Sequence, residues 1–409
     1  MESVKCASFL VLFLLSQLII SALIEYIFGT VVLTCLTVLV AVFVGWVLID
    51  CWWRSDLDER TLSRDLELIG KAFDIKAILF AKETYTTEDV GQYYAHTTDL
   101  DYRALELCVG PGMHSELRAP HPILNYGGHT RQAAIVLMEV SSFDMPSWMA
   151  DPVDLLSPVL SVAPLTYRRV LEVGSGKGYC TLFLAGMCKN VQFYGVDRVA
   201  RHVQLATEAC VKGGYTNADF ECADGVNLLS NAPESVHYDV IFGVEALCYL
   251  DTPAALKAFV TQAAKRLSHR GGRLVVVDGF RSASFDSASE ERRTAMQLSE
   301  CGFRIRRMPS KAEWMEEVSW VCLLVFFQTD FRSKAKQAGL HLIKNVDLTG
   351  EVLPFWRLGW RIAITILRLI PFAPRLMPVH SAENLLSVAT TAHAMVGGTA
   401  EYGVLVFRK

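Results

Sequence analysis

The sequence has 11 cysteines but no CxxC and no cysteine–histidine pair at metal-binding spacing. That excludes a zinc-knit or iron–sulfur scaffold, and no metal is expected. Several cysteines, Cys35 and Cys322 among them, lie inside apolar runs. This fits reduced thiols in a protein that faces the cytosol, not a disulfide framework. Charge is scarce as well: 20% of residues are charged, the formal net charge is -4 and the pI is about 6.2. With no broad basic face to neutralise phosphates, nucleic acid is not an expected partner.

What is plentiful is apolar side chain, 52% of the 409 residues, concentrated at the two ends of the chain. Residues 9–24 and 27–49 form two apolar runs parted by Glu25 and Tyr26. At ~1.5 Å per residue the second is about 34 Å long, enough to cross a bilayer. No small-x-small cleavage site precedes a polar mature start, which argues against a removed signal peptide. Two spans turning at Gly29 and Thr30 would put Lys5 and Arg54 on one side, and Trp46, Trp52 and Trp53 suit an interfacial belt. Residues 1–53 are therefore expected to be a membrane anchor of one or two transmembrane helices. Charges arrive abruptly after Arg54, as in a solvated juxtamembrane helix.

The stretch that organises the rest begins at Val170, Leu171, Glu172 and Val173, an apolar strand run ending beside an acid. Gly174, Gly176 and Gly178 follow at alternate positions, with Ser175 and Lys177 between them, and then an apolar run from Tyr179 to Met187. This reads as strand, tight turn, helix, with helix N–H groups offered at the ligand end. A P-loop is excluded because Gly178, not Ser or Thr, follows Lys177. A dinucleotide loop needs its third glycine where Tyr179 stands. A structural turn in an unrelated α/β domain is the plain alternative.

Four further strand ends carry acids or glycines in a regular order. A second strand ends in Asp197, placed to accept ribose hydroxyls. A third, from Ala218 to Cys222, leads into Ala223, Asp224 and Gly225. A fourth runs from Tyr238 to Glu245, and Gly271 and Gly272 turn into a fifth that reaches Asp278. The pattern E-x-G-x-G-x-G with these ends resembles the class I S-adenosylmethionine-dependent methyltransferases, well over 168–280 and more loosely outside. The resemblance implies an α/β fold, a Rossmann-like seven-stranded sheet with helices on both faces. It implies S-adenosylmethionine as cofactor, held by Glu172, Gly174, Ser175, Gly176, Gly178, Asp197, Arg198, Asp224, Gly225 and Glu245, with Asp224 toward the adenine amino group.

Gln92, Tyr93, Tyr94, His96, Thr97, Asp99 and Tyr102, and then Gly112, Met113 and His114, resemble the cap of the sterol and lipid C-methyltransferase branch. The aromatic patch of true sterol enzymes is absent, with Glu116 to Pro120 in its place. Residues 302–308 and 311–327 resemble the substrate lid after the fifth strand. Strands near 339–347 and 402–407 would close the sheet around a long insertion. Between 352 and 382 the insertion has no acid, and Arg357, Arg361, Arg368 and Arg375 line one helical face among tryptophans and aliphatics. Such a segment reads as lying in a membrane interface, or as a helix covering the domain's own core.

The expected organisation is an anchor (1–53), a juxtamembrane helix and cap (54–150), a cofactor-binding core (151–280), and a lid with closing strands and interfacial insertion (281–409). Glu245 is the first candidate for a catalytic base, with His114 and Tyr94 beside it and Tyr249 and Asp278 behind. The expected activity is methyl transfer to a lipid-like small molecule: a sterol, a terpenoid or prenyl compound, or a phospholipid head group. The expected place is the endoplasmic reticulum or another internal membrane, with the catalytic domain toward the cytosol. Two other readings stand beside it: a membrane scaffold that keeps the fold without catalysis, and an NAD-dependent reductase. The reductase reading lacks a Tyr-x-x-x-Lys pair after the fourth strand.

Overall fold

Three helices come first in the computed structural model, which describes residues 57–99, 169–328 and 339–409 except 234 and 270, with a few helical residues between 37 and 45. They are α1 (Glu59–Ala72), α2 (Ile75–Lys82) and α3 (Thr87–Asp99). Asp58 and Asp74 cap the first two, accepting the N–H groups of Thr61 and Ala77, which supplies donors at a helix start with an acceptor. Strands and helices then alternate: β1 (Arg169–Val173), α4 (Tyr179–Met187), β2 (Gln192–Asp197), α5 (Ala200–Lys212), β3 (Ala218–Cys222), α6 (Gly225–Asn231) and β4 (Val240–Val244). After them come α7 (Pro253–Arg266), β5 (Arg273–Arg281), α8 (Glu290–Gly302), α9 (Lys311–Gln328) and β6 (His341–Asp347). A helical insertion of α10 (Thr349–Leu369), α11 (Ala373–Leu376) and α12 (Val379–Val396) precedes the closing strand β7 (Ala400–Arg408).

The strands form one seven-stranded sheet in the order β3-β2-β1-β4-β5-β7-β6. The first five strands pair in parallel, and β7 runs antiparallel between β5 and β6. Parallel strands covered on both faces read as unbroken apolar runs, and every residue of β4, VIFGV, is buried. Strand order reverses between β1 and β4, which opens a crevice at their carboxyl ends. The antiparallel β7 inserted beside β5 departs from a dinucleotide-binding sheet, which weighs against the reductase reading.

One face of the sheet packs on α4, α8 and α12 through Leu184, Phe193, Met296 and Ala394. The other packs on α7 and α9, where Trp314 lies edge-on to Phe259 and stacks on Phe407. Trp314 is wholly buried, so α9 begins as a core helix. The lid expected over 311–327 is corrected to that extent. Its sequence gave no sign of a partner because Phe407 lies at the far end of the chain.

Of the two readings of the insertion, α10 follows the helix that covers the domain's own core. The tryptophan-bearing face of α10 meets protein, not lipid: Trp360, Ala363, Ile364 and Leu367 are buried with Ile69 of α1 and Leu386 and Ala389 of α12. The Trp360 indole N–H donates to Asp65 at 2.8 Å, and His393 of α12 lies 3.1 Å from the same oxygen. Arg368 reaches within 4.0 Å of the other Asp65 oxygen. An amphipathic period specifies an apolar stripe but not what covers it.

A second buried charge ties the first helices to the sheet. Glu300 of α8, fully buried, is bonded by Lys82 of α2 at 2.5 Å, by the Arg281 guanidinium at 2.6 and 2.8 Å, and by the Met308 N–H at 2.9 Å. Among the described residues no helix is long and apolar enough to cross a membrane. The expected spans at 9–24 and 27–49 lie outside the described residues, apart from isolated helical positions. Trp360→Ala should lower unfolding free energy by about 3–5 kcal/mol, as expected for a large side chain removed from a filled core. Denaturant titration of the purified chain measures it, and a loss below about 1 kcal/mol would place Trp360 at a surface.

Candidate active site

The glycine turn sits at the crevice. Gly174, Gly176 and Gly178 have φ of 73°, 52° and 82°, a region open to glycine at little cost. A Cβ on Gly174 would lie 2.3 Å from the Ala246 Cβ, and one on Gly178 would lie 2.7 Å from the Phe220 ring. A Cβ on Gly176 would meet nothing within 4 Å. The outer two glycines therefore dock the turn on its neighbours, while the middle one borders open space that a ligand can enter. The Ser175 hydroxyl is buried and has no partner among the described residues.

Asp197, at the end of β2, holds the turn in place. Its Oδ2 accepts the Gly176 N–H at 2.8 Å, and its Oδ1 accepts the Val199 N–H at 2.8 Å. His202 of α5 places Nδ1 3.3 Å from the same Oδ1. A carboxylate offers about four lone-pair sites, so these contacts leave room on Oδ2 for one further hydroxyl. His202 went unnoticed in the sequence, although its place on the first turn of a helix five residues after an acid is a usable signal. Asp224 caps α6 by accepting the Asn227 N–H at 2.9 Å, and its other oxygen pairs with the Arg198 guanidinium. Gly225 is buried, and a Cβ there would lie 2.5 Å from Val173. Its smallness serves packing against the end of β1.

Glu172 was expected beside the ligand. It is instead buried behind the turn, where it accepts the N–H of Thr181 at 3.0 Å and the Thr181 hydroxyl. The first turn of α4 carries N–H groups that need acceptors, and Glu172 supplies one from the strand. Burial pushes its carboxyl up to about 8. Asp278 of β5 plays a like part: it accepts the N–H groups of Ala246, Leu247 and Cys248 at 3.1, 2.8 and 2.9 Å. Burial pushes this carboxyl up to about 7. Asp278 therefore shapes the turn after β4 and is not a free base.

That turn presents Glu245. The residue is exposed at the end of β4 and has φ 51°, left-handed for a residue that is not glycine. The hydroxyl of Tyr402, buried on β7, donates to Glu245 Oε1 at 2.9 Å. No sequence signal marked Tyr402, which lies 157 positions away. Over the crevice, Tyr94 of α3 packs edge-on to His202 and to Tyr249, both at 5.8 Å between ring centroids. The two tyrosine hydroxyls lie 2.8 Å apart, and Tyr249 donates to the Phe303 carbonyl at 2.8 Å. A hydroxyl has one proton, so Tyr94 is the donor of the pair. Tyr94 thereby fastens the cap to the rim of the crevice. His114 lies outside the described residues.

Residues 167–322 match the family model described as a methyltransferase domain. The matched segment takes in the glycine turn and strands β1 to β5. Among curated proteins the chain is 34% identical over 79 residues to a protein-L-isoaspartate O-methyltransferase of Myxococcus xanthus, covering 19% of this chain and 35% of that one. It is 41% identical over 56 residues to the enzyme of that name from Magnetococcus marinus, covering 14% and 24%. The match thus spans about a third or less of those relatives' length. A solved geranyl diphosphate C-methyltransferase of Streptomyces coelicolor superposes with a TM-score of 0.44 at 14% identity, over 73% of this chain and 83% of that one.

Two buried carboxyls, Glu172 and Asp278, give the domain's stability a pH dependence. Their ordinary values are 4.5 for Glu172 and 3.8 for Asp278, and both are raised in the folded protein. The folded state therefore keeps protons that the unfolded chain releases, so their stabilising share is complete below about pH 4 and is lost as pH rises through 7 and 8. Unfolding free energy should fall between pH 5 and 8, with a slope approaching about 1.4 kcal/mol per pH unit for each group. Glu172→Gln should remove one group's share of that slope in denaturant titrations at several pH values. An unchanged slope would show that Glu172 is ionised in the folded protein.

Proposed function

We propose that the chain is an S-adenosylmethionine-dependent methyltransferase that acts on a lipid-like small molecule at a membrane. One observation carries the catalytic half: the open glycine turn, its Asp197 clasp and the exposed, Tyr402-held Glu245 converge on the crevice where strand order reverses. Ligands of open α/β sheets bind at such points. Gly174, Gly176 and Asp197 fit the cofactor because the turn leaves space at Gly176 and the acid retains an oxygen lone pair for a ribose hydroxyl. Arg198, Asp224 and His202 lie on the Asp197 side of the crevice, with Tyr94 packed edge-on to His202.

The cofactor, when bound, supplies an electrophilic methyl group on a sulfonium sulfur. The chain's own task is to hold the acceptor in line with that methyl, exclude water and receive a proton. Glu245 is the group proposed to take the proton from the acceptor as the new bond to carbon forms. Tyr402 holds its carboxylate through a hydrogen bond at 2.9 Å. Tyr94 and Tyr249 offer aromatic faces that would shield a cationic centre, should the acceptor be an alkene carbon.

The membrane half rests on residues 9–24 and 27–49, proposed as the anchor of a domain that faces the cytosol, at the endoplasmic reticulum or another internal membrane. An anchored enzyme meets an acceptor dissolved in the bilayer without extracting it into water.

The direct test incubates the full chain in lipid vesicles with tritium-labelled S-adenosylmethionine and a total lipid extract. Label should appear in the lipid phase, in a species heavier by one methylene. Asp197→Ala should weaken cofactor binding by roughly 1.5–3 kcal/mol in calorimetry, through loss of charge-assisted bonds. Glu245→Gln should lower turnover by about 10²-fold or more and leave cofactor affinity intact, and Tyr402→Phe should lower turnover to a lesser degree. Equal losses of affinity and turnover in Glu245→Gln would make it a cofactor contact only. Binding of NAD in place of S-adenosylmethionine would overturn the whole reading.

A further inference from the structure

Turns between helices are ordinarily polar, because their backbone faces water. The turn joining α10 to α12, residues 369–379, reads LIPFAPRLMPV. Leu369, Ile370, Phe372, Leu376 and Val379 are 42%, 41%, 55%, 74% and 65% exposed. The one polar side chain exposed with them is Arg375. Scattered exposed apolar residues are normal, but a contiguous group marks a site of contact.

The backbone of this turn is equally unusual. Pro371, Pro374 and Pro378 have no N–H to satisfy. Ile370 donates back to Ile366 of α10 at 2.8 Å, and Ala373 and Arg375 donate within the turn, to Ile370 and Phe372 at 2.9 and 3.0 Å. A turn that enters an apolar phase must keep its N–H groups bonded or absent, and much of this one does. The charge also has one sign. No acid occurs between 352 and 382. The next acid in the chain, Glu383, is engaged by Arg304 at 2.5 and 3.0 Å and by His380 at 3.0 Å.

The turn lies beside the cap. His380, next to Val379, sets its ring edge-on to Tyr93 at 5.7 Å, and Tyr93 packs edge-on to Tyr94 at 5.1 Å. We infer that residues 369–379 are a membrane-docking tip, which seats its aliphatic and phenyl side chains in an anionic leaflet with Arg375 at the phosphates. The inference rests on the reading that this chain works at a membrane. It assigns the contact to the turn and not to the tryptophan face of α10. It also sets the mouth of the crevice against the lipid surface. Arginine beside exposed apolar side chains matches the leaflet's combination of negative headgroups and acyl chains.

The experiment uses the full chain reconstituted on phosphatidylcholine vesicles with or without phosphatidylserine. A photo-reactive benzoylphenylalanine replaces Phe372, and after irradiation the adduct is identified by mass spectrometry. The expected product is a lipid adduct, several-fold more abundant with phosphatidylserine, and reduced several-fold by Arg375→Glu. The same probe at Val211 of α5, 76% exposed, should yield little lipid adduct. A second probe at Leu376 keeps the test decisive if position 372 disturbs folding. A protein adduct, to another copy or elsewhere in this chain, would overturn the proposal, as would the absence of any adduct at both positions. Attachment through residues 1–53 does not affect the outcome, because the probe reports where it touches lipid. The readout needs no methyl transfer, so its failure is distinct from failure of the methyltransferase reading.

Discussion

Backbone N–H groups at the carboxyl ends of parallel strands need acceptors, and in this protein carboxylates supply them. Glu172 on β1, Asp197 on β2 and Asp278 on β5 each bind N–H groups of a turn above the sheet. The crevice is the shape left when those turns are held. Two of the acids are deeply buried, and burial alone would drive them to protonate. Against that penalty stand the N–H groups the two acids satisfy, which would otherwise be left without acceptors. The arrangement also divides labour among acids that look alike in sequence: some hold the frame, and Glu245 stands exposed beside the opening.

The same principle, a buried acid gathering donors from distant elements, fastens the helices outside the sheet. Asp65 collects Trp360, His393 and Arg368, and Glu300 collects Lys82, Arg281 and the Met308 N–H. Removing one member of such a cluster leaves charge stranded in low dielectric. Arg281 ends β5 at the crevice side, and Lys82 belongs to the chain that continues into the cap. The cap is therefore joined to the sheet by a salt-linked core as well as by the Tyr94–Tyr249 contact.

The sheet was largely legible in the sequence because its cues are local. Glycine turns and β-branched runs place α4 at Tyr179–Met187 and β3 at Ala218–Cys222 as expected, with the other strands shifted by only a few residues. The glycine turn and the strand-end place of Asp197 are legible in the sequence, but what the other acids bond to is not. Whether Glu172 faces a ligand or a helix depends on Thr181, nine positions on. The sequence leaves open what covers the face of α10, because its decisive partner, Asp65, is 295 positions from Trp360. Tyr402 was invisible for the same reason. Contacts of this separation are set by how layers pack, and periodicity along one element does not contain them.

Glu245 holds a left-handed backbone torsion that glycine would adopt freely. The strain of a side chain there costs about 1–2 kcal/mol. With Glu245 in its proposed role, folding and chemistry pull in opposite directions on one φ angle. Evolving this protein in the laboratory for heat resistance alone would drive that position toward glycine and erase the charge, leaving a hardier fold with an uncharged mouth.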